Sequence, residues 1–126
     1  MSSTDIRQYA AEAQSTDTFG RVLCSARNHH FVIDGPVQNG CPGEAVTPPE
    51  AFLTGVAACG VELVEVIARE LGLPIPTARV RIEGIVDRSR PVRTDVTVFN
   101  SVRIQFSIGG VTRDQATDLV DRFKKR

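Results

Sequence analysis

Cys24, Cys41, Cys59, His29 and His30 are the side chains of this 126-residue chain best suited to nucleophilic or metal chemistry. A structural zinc site needs ligand pairs at short fixed spacing, and no CxxC or HxxxH pair is present. His29 and His30 are adjacent, so on a strand they point to opposite faces. No metal is therefore expected. No Gly-x-Ser-x-Gly elbow offers an acyl-transfer serine, and Gly109-Gly110 lies in no GxxxxGK or GxGxxG phosphate loop, so no cofactor is expected either. Thiol chemistry is what remains. Only Cys59 lies where local structure makes a cysteine interesting, midway along a helical pattern and next to Gly60. A free cysteine on an apolar helix face is commonly a small buried hydrophobe. As a nucleophile it must reach the thiolate form, which apolar burial opposes and a mid-helix position does little to help. A cation from another element is then required. Arg21, Arg27, His29 and His30 are the candidates.

The element that carries Cys59 has clear ends. Thr47-Pro48-Pro49-Glu50 forms a capping box, in which Thr47 bonds the third helical amide and Glu50 reaches back to the cap. Pro48 suits the first helical position. The spacing predicts a helix to about Leu71, with Gly72 as a left-handed stop and Pro74 beyond it. That is about 24 residues, or roughly 36 Å. Phe52, Val56, Cys59, Leu63 and Ile67 form its apolar stripe, widened by Leu53, Gly60, Val64 and Leu71, while Thr54, Ala58, Glu62, Glu65 and Arg69 face the other way. Gly55 and Gly60 weaken an isolated helix, and close approach by another backbone is their expected use.

Before this helix, residues 19–25 and 29–34 read as two short strands. Arg27-Asn28 is the turn between them, with Asn28 the residue that tolerates left-handed geometry. Residues 35–46 carry Gly35-Pro36, Asn39-Gly40 and Pro42-Gly43, which are loop signals. Residues 1–18 are read as a loose N-terminal arm, with 4–15 polar and Ala-rich, a short frayed helix at most. After the helix, residues 80–86 alternate as a half-buried strand. Val96, Val98, Val102, Ile104, Phe106 and Ile108 keep one even-numbered apolar face, which predicts one long strand with a bulge at Asn100-Ser101. Thr112-Arg113-Asp114-Gln115 is a second capping box, and Ala116, Leu119, Val120 and Phe123 are the stripe of a closing helix. The order of strands, long helix, strands and helix argues for an α+β fold, as a single domain over residues 1–126.

Fifteen basic and fifteen acidic residues cancel, so no excess charge favours nucleic acid. An odd number of irregularly spaced cysteines is not a secreted disulfide framework. Residues 1–5 have neither the basic nor the apolar region of a signal peptide. Residues 51–68 are interrupted by Glu62 and Glu65 and are read as too polar to span a bilayer. The expected location is the cytoplasm.

Phe31-Val32-Ile33-Asp34, the Gly-rich loop, and Thr47-Pro48-Pro49-Glu50-Ala51-Phe52-Leu53-Thr54-Gly55-Val56-Ala57-Ala58-Cys59 resemble the OsmC/Ohr family, the osmotically inducible and organic hydroperoxide resistance proteins. The family pattern there is roughly (T/N)-P-E-E-L-L-L-A-A-L-A-A-C, and the resemblance runs over about residues 19–126. It implies antiparallel sheets packed around a long central helix in an intertwined homodimer, with sites at the subunit interface. It also implies a thiol-dependent peroxidase of the antioxidant stress response, reducing organic hydroperoxides. Cys59 matches the family's peroxidatic cysteine. Arg21 is the nearest match to its catalytic arginine, and Glu50 to its catalytic glutamate, although Pro49 stands where that glutamate usually lies. One helical position is about 100° of rotation, which would turn Glu50 elsewhere and leave it to serve only the capping box. The family's resolving cysteine follows the closing helix in a Cys-Pro segment, and this chain stops at Arg126. Reduction by an external thiol is the expectation, with Cys41 as an unorthodox resolver a further one. The alternative is a non-catalytic dimeric relative binding a small apolar ligand, or a truncated member with little activity.

Overall fold

A computed structural model describes residues 5–126. Among the described residues the architecture is α+β, with two α-helices and two small antiparallel sheets. The chain divides into two compact units, Met1–Ala51 and Phe52–Arg126.

The first unit is built on a three-stranded sheet in the order β1 (Glu12–Ser15), β2 (Arg21–Ala26), β3 (His29–Asp34). The helix or loose arm expected over residues 4–15 is replaced at its end by β1, which pairs with β2 from Glu12↔Ser25 to Ser15↔Val22. The expectation for residues 1–4 lies outside the described residues. β1 is short, polar and fully exposed, which suits an edge strand that must not recruit other chains. The β2–β3 turn is Arg27-Asn28 as expected, but the left-handed residue is Arg27, at φ 55°. The right-handed strand twist demands a positive φ at the first central position of a two-residue hairpin, and this outweighs arginine's own preference.

The loop after β3 folds back on the hairpin. Gly35 N donates to Gly20 O at 2.7 Å, and Asp34 N to Val46 O at 3.0 Å. The Cys41 side chain sits between Gly20 and Gly35, where a Cβ on either glycine would overlap Sγ. These glycines admit the thiol side chain to the backbone.

Helix α1 (Pro48–Glu70) begins in the first unit and continues through the second. Its C-terminal end is a Schellman motif: Leu73 N donates to Ala68 O at 2.8 Å, Gly72 N to Arg69 O at 3.1 Å, and Gly72 has φ 70°. The buried side of α1 is Gly60, Val64, Ile67 and Ala68. Of the stripe expected to face the core, Ile67 and the widening residues Gly60 and Val64 are buried, whereas Phe52 and Cys59 are exposed. The helix is apolar through most of its circumference, so periodicity alone does not select which flank packs. The opposite face, Thr54, Ala58, Glu62, Glu65 and Arg69, is exposed as expected. By length and composition alone α1 is apolar enough to cross a membrane, with mean hydropathy 1.8, so the expectation that this stretch is too polar does not hold on that measure.

In the second unit β4 (Ala78–Ile85) pairs with β5 (Ser101–Ile108) in register from Ala78↔Ile108 to Ile85↔Ser101. The long strand expected from Val96 starts only at Ser101. Asn100 is the reason: its Oδ1 accepts from Asp87 N and its Nδ2 donates to Arg90 O, both at 2.7 Å. These bonds close residues 87–100 into a loop, leaving 92–99 without a partner strand. Helix α2 (Arg113–Phe123) starts at the Thr112–Gln115 capping box, with both halves formed. The core of this unit is Val64, Ile67, Ala68 and Leu119, flanked by Leu73, Ile75, Ala78, Phe106, Ile108 and Phe123. Phe106 and Phe123 meet edge to face at 5.3 Å.

Gly60 brings α1 against β4 and β5. A Cβ there would lie 3.3 Å from both Phe106 Cε2 and Val80 Cγ2, so the close approach is by side chains and not by another backbone. Gly60→Val is expected to destabilise the protein by about 1–3 kcal/mol through overpacking. Urea denaturation measures this, and an unchanged midpoint would show that the sheet yields freely.

Candidate functional site

Cys59 lies midway along α1, and its free thiol is exposed. The buried small hydrophobe expected of such a cysteine is not what the structure shows. At about 100° per residue, Phe52, Val56, Leu63 and Val66 share its side of the helix. Phe52 is 63% exposed, and nothing lies within 4 Å of the position a Cβ would take at Gly55. Within its unit, then, the thiol stands on an open, largely apolar strip. Phe99 stacks on Phe52 at 6.3 Å and covers Gly84 of β4, where a Cβ would meet the Phe99 ring. These contacts fix one end of the strip.

Arg21 belongs to the other unit. The hairpin register places it directly opposite Asp34. Its Nε donates to Asp34 Oδ1 at 2.8 Å and its Nη2 to Asp34 Oδ2 at 2.9 Å, a bidentate pair. Nη2 also donates to Glu44 Oε1 at 2.9 Å. The Asp34 side chain is fully buried, and its Oδ2 further accepts the backbone N–H groups of Glu44 and Ala45, both at 2.9 Å. One carboxylate thus ties the hairpin, the arginine and the loop leading to α1 together. The Arg21 hydrogen bond, followed by those from the Ala45 and Glu44 amides, holds Asp34 well below the usual carboxylate range against the opposing effect of burial. Hydrogen bonds to Asp34 and then Glu44 raise the pKa of Arg21 in turn.

Glu50 serves the helix start. Its Oε1 accepts from Thr47 N at 2.9 Å and from the Thr47 hydroxyl at 2.8 Å. The Thr47 backbone and then its hydroxyl lower the Glu50 pKa. Along α1, Glu50 and Cys59 are nine residues apart, about half a turn out of phase. The structure therefore uses Glu50 as a cap. Cys24 is buried opposite Phe31, and Cys41 is enclosed by the two glycines. His29 and His30 are exposed at the start of β3. Among the described residues no group of three or more His, Cys, Asp or Glu is placed to hold a metal.

Asp34 and Glu44 were missed as site residues. The signal for Asp34 was available: a two-residue turn at 27–28 pairs residue 26 with 29 and hence 21 with 34. Nothing in the sequence marks Glu44, whose approach to Arg21 depends on the fold of the Gly-rich loop.

The family model for OsmC-like proteins matches residues 41–126, more than half of the chain. The chain belongs to the OsmC family. No curated protein matches it. Among solved structures, an OsmC-like protein from Mycoplasma pneumoniae shares the fold at TM-score 0.81 and 17% identity, over 98% of this chain and 84% of that one. An organic hydroperoxide resistance protein OsmC from Legionella pneumophila aligns at TM-score 0.75 and 18% identity, over 97% and 85%. An organic hydroperoxide resistance protein from Elizabethkingia anophelis aligns at TM-score 0.76 and 16% identity, over 98% and 85%. The OsmC fold thus accommodates this chain from the β1–β3 sheet to α2, including the N-terminal part that the family model does not reach.

Proposed function

We propose that this OsmC-family chain has a peroxide-stress role and acts as a thiol-dependent peroxidase on organic hydroperoxides. The observation that carries the reading is the exposed, free Cys59 thiol on an apolar side of α1 in a chain of this family. Two solved neighbours are organic hydroperoxide resistance proteins, which supports the substrate class.

The Cys59 thiol loses its proton, and the thiolate attacks one oxygen of the hydroperoxide. The O–O bond breaks, the alkoxide takes up a proton and leaves as an alcohol, and Cys59 becomes a sulfenic acid. An external thiol condenses with it, forming a mixed disulfide and water. A second thiol then releases Cys59 and carries away the disulfide. Arg21 is the proposed cation that favours the thiolate and orients the peroxide. The apolar neighbours Phe52, Val56, Leu63 and Val66 suit an alkyl or aryl substituent better than bare hydrogen peroxide. We propose a cytoplasmic location, which the odd number of irregularly spaced cysteines suits. The test is hydroperoxide consumption with dithiothreitol, compared between the unaltered protein and Cys59→Ser.

We further propose the intertwined homodimer. Phe52 and Val66 on α1, and separately Leu23, Phe31 and Val32 on the sheet, are exposed large apolar side chains of the kind a subunit interface would cover. Sedimentation at micromolar concentration is expected to give a dimer, and a stable monomer would remove this part of the reading.

One observation favours the second reading, a non-catalytic relative that binds a small apolar ligand: the charge of Arg21 is already met by two carboxylates. Equal hydroperoxide consumption by the unaltered protein and Cys59→Ser would remove the peroxidase, and binding of an apolar fluorescent probe that Cys59→Ser retains would support this second reading.

A further inference from the structure

Arg21 is held between two carboxylates of unequal freedom. Asp34 is fully buried, binds Nε and Nη2 with its two oxygens, and is anchored by two backbone N–H groups. Glu44 reaches Nη2 with a single oxygen at 2.9 Å, and its side chain is 76% exposed. These three bonds use the Nε donor and both Nη2 donors, and the two Nη1 donors have no acceptor among the described residues. An exposed ion pair is held weakly, because water solvates both charges nearly as well. A buried, multiply bonded carboxylate is held strongly. Asp34 is thus a fixed counterion and Glu44 an exchangeable one. With both ionised, the three-residue group carries a net negative charge, which opposes a thiolate. With Glu44 moved away, the group is neutral and a second edge of the guanidinium is open.

We propose that Glu44 is an exchangeable positioning residue for Arg21, yielding Nη2 to a peroxide oxygen or thiolate when the site is occupied. The inference rests on the proposal that Arg21 serves Cys59. Its consequence has the opposite sign to that of a structural residue: removing the carboxylate helps. The backbone N–H of Glu44 that holds Asp34 remains in a glutamine variant, so the loop keeps its anchor.

The experiment measures steady-state kinetics with cumene hydroperoxide and dithiothreitol for the unaltered protein, Glu44→Gln, Arg21→Ala and the double variant. Glu44→Gln is expected to raise kcat/KM by up to about fivefold through a lower KM, the factor that corresponds to an exposed ion pair no longer competing. In the Arg21→Ala background the same substitution should leave KM unmoved. A KM in Glu44→Gln equal to or above that of the unaltered protein, while Arg21→Ala still loses activity, overturns the inference alone. Unchanged kcat/KM in Arg21→Ala overturns the role of Arg21 and the inference with it, so the two failures are distinguishable.

Discussion

Cys59→Ser is expected to reduce hydroperoxide consumption to the uncatalysed rate. A serine hydroxyl does not ionise near neutral pH without a dedicated base, and its oxygen cannot pass through the sulfenic acid state on which the proposed turnover depends. The substitution is close to isosteric and lies at an exposed position of α1, so the fold has little reason to change. Loss of activity with an unaltered thermal melt would therefore report chemistry. Cys24→Ser and Cys41→Ser are the controls, because Cys24 is buried in the sheet and Cys41 is enclosed by Gly20 and Gly35. Turnover surviving in both places the reacting sulfur at Cys59. Mass spectrometry after one equivalent of cumene hydroperoxide should find one added oxygen on the Cys59 peptide. Arg21→Ala should lower kcat/KM by on the order of a hundredfold, the usual effect of removing one fixed donor from a site where charge develops. Equal rates in Cys59→Ser and the unaltered protein would end the peroxidase reading.

The largest effect on stability is expected at Asp34. Asp34→Asn keeps the shape and removes the charge, so the Arg21 guanidinium loses its bidentate partner. The new amide also presents N–H donors to a site furnished by the donors of Arg21, Glu44 and Ala45. Breaking a buried pair from one side is among the costliest single changes, and Tm should fall by roughly 10 °C or more at neutral pH. The sign of the pH dependence follows from linkage. The Asp34 pKa is lowered on folding, chiefly by the Arg21 hydrogen bond. Its stabilisation is thus fully present above the unfolded value of about 3.9 and is lost as pH falls from there towards the depressed folded value. The gap in Tm between the unaltered protein and Asp34→Asn should narrow as pH drops below about 5. A gap that stays constant between neutral and acid pH would show that the charge is not its source.

The features that were legible in the sequence are those decided within a turn or two of chain. The start of α1 at Thr47–Glu50, its stop at Gly72, and the Thr112–Gln115 box depend on groups at most five residues apart. The alternation of β4 depends only on the period of the pleat. The features that escaped depend on partners distant in sequence. Whether Cys59 or Val64 faces the core is settled by β4, β5 and α2, because both flanks of α1 are apolar. The start of β5 is settled by bonds from Asn100 to residues that precede it by ten or more positions. Arg27 takes the left-handed place in the turn because the strands on either side require it.

By itself the sequence determined the α+β order, both capped helices, the family resemblance and the choice of Cys59 as the cysteine to watch. Only the tertiary structure decided that this thiol is exposed and that Arg21 is held by Asp34 and Glu44. The physical reason is one of range. Caps and periodicity are encoded by neighbours along the chain, whereas the surroundings of a charge or a thiol are assembled by strand register and packing between elements that the chain brings together only on folding.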